Sequence, residues 1–380
     1  MSTVVSAAAL PSPRTRPPWG HLSRWTGDAL RLIEEGAELG PLFGLKLWRP
    51  VTVGYTPEWN RFVLGDLDQF RSRGSLSQLS PYLSAGLVAT DAPAHRARRA
   101  AMNPAFHRRA VVDQFQNDFL EFSVAALPAG EFDAVSWASD LIRSMITRAF
   151  VGEHFPAGVM RSFLAPLQQP MPGPLLRRPI RIRRMERALR LAFADPQPGT
   201  LAPLFAGLPG GVEEGRVALA AAYDTTAHAL AFALWEVAAR PEVNEASMTD
   251  RVVSETLRLY PSGWIGSRVA TTATEFAGQI IPSGRMVLYS PYLTHRSPDL
   301  WADPLAFRPE RFTEPVPAWG YIPFSAGERT CLGAALATSM LRAAVGAFAG
   351  STLRRVSGDG RPRGSLTLTP RGPLILRRLP

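Results

Sequence analysis

Apolar residues three and four apart dominate this chain, and near its start they give way to alternation. LFGLKLWRPVTVGY, from Leu42 to Tyr55, predicts strands with a turn at Arg49-Pro50, and the stretch from Pro57 to Asp66 predicts a short helix. Residues 75–95, SLSQLSPYLSAGLVATDAPAH, are rich in Ser, Gly and Pro and read as a loop with one helical turn. Helical periodicity covers 95–127, 134–150, 157–168 and 178–193, breaks over 194–211, and resumes as a long apolar run from 212 to 239. A helix from Thr249 to Tyr260 follows, then short strands and turns through 265–290, a last helix from near Cys331 to near Gly350, and closing strand pairs. With no internal repeat and no low-complexity linker, the pattern predicts a flexible segment over 1–20 and one mainly α domain with small β-sheets over 21–380.

Composition narrows the function classes. At 380 residues, 46% hydrophobic and 19% charged, the chain can bury a large core and is not of the disordered class. Its N-terminal MSTVVSAAALPSPRTRPP lacks a charged n-region and breaks at Pro11, which is a poor signal peptide. The apolar run over 218–239 carries Asp224, Thr225, Thr226, His228 and Glu236, which disfavours a membrane span. A cytoplasmic protein is the expectation. The formal net charge of +10 raises nucleic-acid binding. Zinc-finger spacing, an aromatic RNA-binding signature and a polylysine arm are all missing, and Lys46 is the one lysine among 42 basic residues, so no nucleic-acid partner is expected.

The one cysteine lies in FSAGERTCLG, residues 324–333, one turn ahead of a run of helix formers. A helix N-terminus favours a thiolate, and a thiolate suits binding to iron. Gly327 lets the backbone turn close to a flat cofactor, Phe324 can pack beside it, and Arg329 can meet a carboxylate on its edge. The alternative is a buried structural cysteine. In ETLRLYP, Glu255 and Arg258 share one helical face, as a surface ion pair also would. In AAYDTT, Asp224 and Thr225 put an acid beside a hydroxyl inside an apolar helix, which is costly unless a cavity or partner receives them. The alternative there is a threonine bonded back to a carbonyl, with Asp224 capping or exposed.

FSAGERTCLG resembles the haem-binding loop of the cytochrome P450 family, with Phe324, Gly327, Arg329, Cys331 and Gly333 at the family's spacing. The resemblance runs from about residue 40 to the C-terminus and is strongest over 218–340. It implies a triangular single domain with haem b between the long central helix and the cysteine-loop helix, and Cys331 as axial ligand of the iron. It implies that Arg311 of FRPERF closes a buried network with Glu255 and Arg258, and that Thr225 and Asp224 deliver protons during dioxygen activation. DAPAHRARRAAMNPAF then supplies His95 and Arg99 to the haem propionates, joined by Arg268 and Arg329. Ala222 stands where the family most often has glycine, and the chain is shorter than usual over 194–217 and 241–254.

The implied activity is a monooxygenase that takes two electrons from a ferredoxin and ferredoxin reductase and hydroxylates or epoxidises an apolar small molecule, in bacterial natural-product biosynthesis. Oxidative coupling, desaturation, rearrangement and direct use of peroxide stay open, and a non-enzymatic haem sensor is a remote alternative. Position suggests the loop from Leu76 to Leu87, Ala218, Tyr223, Trp264, Ile265 and Leu368 as pocket walls, each of which core packing would equally explain. Arg96, Arg98, Arg108 and Arg109 could attract an acidic electron donor or form a solvated basic face. RRPIRIRRMER, 177–187, reads as a solvated helix face that could also steer an anionic or carrier-protein-bound substrate. A monomer is expected.

Overall fold

The computed structural model describes residues 10–15, 18–76, 79–169, 171 and 173–379; of the segment expected to be flexible, 1–9, 16 and 17 lie outside the described residues. Among the described residues the first helix or strand is α1 (Leu22–Ala37), an element the periodicity did not reveal. Gly27 and Asp28 interrupt its pattern, and Asp28 has non-helical angles (φ −147°, ψ 82°), so the apolar face of Ala29, Leu30, Leu32 and Ile33 occupies only the second half. Strands β1 (Leu42–Lys46) and β2 (Pro50–Gly54) pair antiparallel; the turn between them is residues 47–49, one position earlier than expected, and Pro50 opens β2 opposite Lys46. Next comes α2 (Pro57–Leu64), with Thr56 capping its first turn by accepting from the Trp59 N–H and Pro57 at a position that needs no donor. Strand β3 (Phe70–Arg71) and the single turn α3 (Gly86–Ala89) follow.

The pattern read as one helix over 95–127 is two, α4 (Ala94–Phe106) and α5 (Arg108–Ala125). Pro104 removes a donor from the last turn of α4, and His107 adopts extended angles (φ −65°, ψ 144°) that end one helix and cap the next. Strand β4 (Gly130–Asp133) leads into α6 (Ala134–Val151), α7 (Ala157–Leu164) and α8 (Pro179–Ala194). The expected break holds one short helix, α9 (Ala202–Ala206), before α10 (Gly211–Val237). Then come α11 (Thr249–Leu259), β5 (Gly266–Ala270), β6 (Thr274–Phe276), β7 (Gln279–Ile281), β8 (Met286–Tyr289), α12 (Pro291–Thr294) and α13 (Ala334–Ala347). Strands β9 (Thr352–Ser357), β10 (Pro362–Gly364), β11 (Leu368–Pro370) and β12 (Ile375–Leu379) close the chain.

Helix α10 organises the core. It is buried nearly all round, against α6, α8, α9, α11 and α13, which is why its sequence is apolar without a strong polar face. It is long and apolar enough to cross a membrane, yet 78% of its most apolar window is buried within the protein. The largest sheet runs β1-β2-β8-β5-β3, with β2 and β8 parallel and the other pairs antiparallel. Smaller sheets are β4-β12-β9, β6-β7 and β10-β11. Among the described residues this is the mainly α architecture with small sheets that the sequence predicts.

Candidate active site

The cysteine loop hangs between α12 and α13 and is fixed from both ends. Ile322 donates its N–H to His295 Nε2 at 2.8 Å, Cys331 donates its N–H to the Phe324 carbonyl at 2.8 Å, and Gly333 caps α13. Gly327 has φ +68°, and a Cβ on it would stand 2.3 Å from the Leu64 carbonyl at the end of α2. The glycine is therefore required by close approach to α2 as well as by its left-handed backbone. The Cys331 side chain is exposed by accessible surface, although protein packs around it as densely as around an interior group. Accessible surface is the better guide to whether a ligand can reach the sulfur. Burial pushes the thiol up, against the Gly333 N–H and the Arg99 charge, which lower it. Coordination to a metal ion would displace the thiol proton outright.

Next to the loop stand a buried histidine and a group of arginines. His95 is 2% exposed, and its imidazole is held down to about 4 by burial and by Arg329, Arg99 and Arg268, with Glu328 opposing. Arg329 donates to the Thr90 carbonyl at 2.6 Å and to Asp91 Oδ1 at 3.1 Å, and burial beside Arg268 brings it down to about 10. Arg268 is buried over the Tyr289 ring and donates to the Ser267 carbonyl. His95 Nδ1, Arg268 Nε and Arg329 Nε are sealed from solvent with no hydrogen-bond partner. Two guanidinium nitrogens and an imidazole nitrogen buried without partners fit an anionic ligand with several oxygens. Arg99 faces the loop itself, donating to the Thr330 carbonyl and to Asn103.

Behind the loop, Glu255 and Arg258 are both 0% exposed, which excludes the surface-pair reading. Arg258 donates to both Glu255 oxygens at 2.7 and 2.8 Å and to the carbonyls of His295, Pro304 and Ala306. Arg311 Nε and the Arg308 N–H add donors to Glu255 Oε1 at 3.0 and 2.8 Å. His295 links this network to the loop: with Nε2 accepting from Ile322, its Nδ1 donates to the Arg258 carbonyl at 3.0 Å. Nothing in the local sequence marks His295, because both its partners come from distant segments.

On α10, Thr225 Oγ1 donates to the Ala221 carbonyl at 2.7 Å, so the back-bonded geometry is the resting one. Asp224 neither caps nor reaches solvent; it is 2% exposed, accepts from Thr367 at 2.5 Å, and burial pushes its carboxyl up. Beyond the first turn of α10, Ala218, Ala221, Ala222 and Thr225 are the residues that stay partly accessible, and their spacing puts them on one face. That face is the one surface of α10 from which Thr225 can meet a bound molecule.

Of the wall candidates, Leu76 and Ile265 are half-buried, as is Ala218, whereas Leu87, Trp264 and Leu368 are buried. Leu87 is tied through its N–H to Glu214 on α10, Leu368 through its N–H to Ser262, and Trp264 through its indole to Ser365. Tyr223 turns away from Thr225 toward Ser139 and Arg143 of α6, because two residues on a helix point to nearly opposite sides. Arg96 pairs with Glu328 and Asp68, Arg98 with Glu214, and Arg109 with Asp113, so these charges are largely neutralised and the basic face shrinks. In the arginine run, Arg178 and Arg181 donate to carbonyls of Gly173 and Ser162, while Arg183, Arg184 and Arg187 are exposed.

Comparison with known proteins decides the family. The cytochrome P450 family model matches residues 243–349. Cyclooctatin synthase of Streptomyces melanosporofaciens is 27% identical over 93% of this chain and 92% of its own. Cyclooctat-9-en-7-ol 5-monooxygenase of the same organism is 28% identical over 74% of this chain and 75% of its own. The solved structure of retinoic acid bound cyanobacterial CYP120A1 superposes with a TM-score of 0.85 at 21% identity, over 98% of this chain and 100% of that one. The chain belongs to the cytochrome P450 family. It is accordingly an oxidoreductase of the monooxygenase class, and the P450 cofactor is a haem whose iron takes a cysteine thiolate. Among the described residues no cluster of three or more His, Cys, Asp or Glu could hold a metal ion. The lone exposed cysteine of this P450 and the unpartnered nitrogens of His95, Arg268 and Arg329 beside it fit a cofactor that carries its own iron and its own carboxylates.

Proposed function

We propose that this P450 binds haem b through Cys331 and uses dioxygen with two electrons from a ferredoxin-type donor to hydroxylate or epoxidise an apolar small molecule of natural-product biosynthesis. The observation that carries the reading is the set of buried donors His95 Nδ1, Arg268 Nε and Arg329 Nε, short of acceptors and grouped beside an exposed thiol. They would receive the two propionates, and Arg99, bonded to Thr330, would hold the loop that presents the sulfur. When bound, the haem supplies dioxygen activation and the oxidising chemistry. The net reaction sends one oxygen atom into the substrate and the other into water, which consumes two protons.

The chain's part is to position and to supply protons. Thr225 has its own proton on the Ala221 carbonyl, so its oxygen is free to accept, and Asp224 lies next to it in sequence as the acid. The half-buried stripe of Ala218, Ala222 and Thr225, with Leu76 and Ile265, supports an apolar guest. The relatives' names, a synthase of cyclooctatin and a monooxygenase of a cyclic alkenol, support the same substrate class. Retention of Asp224 and Thr225 favours dioxygen over peroxide as oxidant.

The test is to supply a ferredoxin, its reductase and 18O-labelled dioxygen with a panel of cyclic alkenols. One labelled oxygen in a product supports the reading. Oxygen consumption with only unlabelled coupled or desaturated products would replace hydroxylation, and turnover with peroxide alone would replace dioxygen.

A further inference from the structure

The Asp224 carboxyl has partners that the acid and alcohol pair does not use. His228 stands one turn further along α10, and Thr367, 143 residues from Asp224, arrives at the start of β11. Three distances close a triangle. Thr367 Oγ1 donates to Asp224 Oδ2 at 2.5 Å, His228 Nδ1 lies 3.4 Å from Thr367 Oγ1, and the same nitrogen lies 3.5 Å from Asp224 Oδ1. All three side chains are buried, at 2%, 4% and 6% exposure for Asp224, His228 and Thr367. Asp224 Oδ1 is nevertheless sealed without a hydrogen bond, so the carboxyl is one donor short. Neither ring nitrogen of His228 is among the sealed orphans; Nδ1 faces the triangle, and Nε2, with no hydrogen-bond partner among the described residues, is the nitrogen that solvent could reach. His228 and Thr367 are also the groups that act on the Asp224 charge; Tyr223, its neighbour in sequence, is directed at α6.

We propose that His228 feeds protons to Asp224 through the Thr367 hydroxyl, so that protons reach the acid and alcohol pair from the β10–β11 side of α10. Nε2 takes a proton from hydronium in the solvent, which is left as water, as the Nδ1–H bond breaks. The Nδ1 proton passes to Thr367 Oγ1 while the hydroxyl's own proton passes to Asp224 Oδ2. The threonine is regenerated, the carboxylate becomes a carboxylic acid, and the imidazole is left neutral with its proton on Nε2. Thr367 is thus a relay that also positions the carboxyl, and Leu368, next to it, is held by Ser262, which in turn donates to the Thr225 carbonyl. The consumer of the protons is the dioxygen chemistry proposed above, and the inference rests on that reading.

The test compares haem-loaded wild type with His228→Gln, Thr367→Val, Thr367→Ser and Asp224→Asn. The infrared band of the Asp224 carboxyl, identified by its loss in Asp224→Asn, is followed with pH, and haem content and circular dichroism verify folding. Oxygen consumption is measured with a ferredoxin and its reductase and no organic substrate. The expected result is an upward shift of the carboxyl midpoint and roughly tenfold slower oxygen consumption in His228→Gln and Thr367→Val, with a larger solvent isotope effect, and wild-type behaviour in Thr367→Ser. A shifted midpoint with unchanged oxygen consumption would reduce the triangle to packing and overturn the relay, as would an unshifted midpoint. If Asp224→Asn itself consumes oxygen at the wild-type rate, the proton-delivery reading fails, and the relay with it.

Discussion

Glu255 and Asp224 are buried in this P450 at nearly the same depth, and the chain treats the two carboxylates in opposite ways. Glu255 has four donors from Arg258, Arg311 and the Arg308 backbone, all at 3.0 Å or less. Asp224 has one hydroxyl donor and an oxygen with none. A saturated buried charge is fixed, because every change of its proton or position breaks a good bond. An undersupplied one is held by burial toward its neutral form and can exchange a proton with little reorganisation. The first arrangement supports the cysteine loop, and the second suits chemistry on the far side of α10.

The largest expected break of this contrast is Glu255→Ala. It leaves two guanidiniums buried without their anion, and about 3–5 kcal/mol of stability should be lost. Denaturant unfolding would measure it, and a variant within about 1 kcal/mol of wild type would show that the network is not what holds the loop.

The cation cluster gives an intermediate effect. Without haem, the folded His95 imidazole sits at about 4 against an ordinary 6.5, so between those values the unfolded chain binds more protons. Stability should therefore fall as pH drops from about 6.5 to about 4 and level off below, with that slope missing in His95→Gln. Haem propionates would flatten the slope by favouring the imidazolium, and an equal slope in the loaded protein would place them elsewhere.

Asp224→Asn should give the smallest effect, and of opposite sign. The folded carboxyl titrates above its unfolded value, so its burial is unfavourable above the folded midpoint and is relieved as pH falls toward the ordinary Asp range. Thermal melts should show the variant gaining on wild type as pH rises, and a gain that grows toward acid would mean the carboxyl is stabilised as the anion.

How much of this was legible beforehand follows from distance along the chain. Helix α10 shows in a run of apolar residues, and the cysteine loop in ten consecutive ones. Helix α1 is hidden by the Gly27-Asp28 kink, and the α4–α5 break by a periodicity that continues through it. Arg96 and Arg98 look free in sequence because their acidic partners Glu328 and Glu214 lie 232 and 116 residues away. Thr367 and His295 escape notice for the same reason: each becomes meaningful only through a contact that spans the fold.

The central claim is that Cys331, with the cations beside it, holds a haem. The most direct measurement is the reduced, carbon-monoxide difference spectrum of the purified protein, with Cys331→Ser in parallel. A strongly red-shifted Soret band in the wild type that is lost in the variant is the predicted result. Well-folded wild-type protein without haem, or the same band in Cys331→Ser, would contradict it.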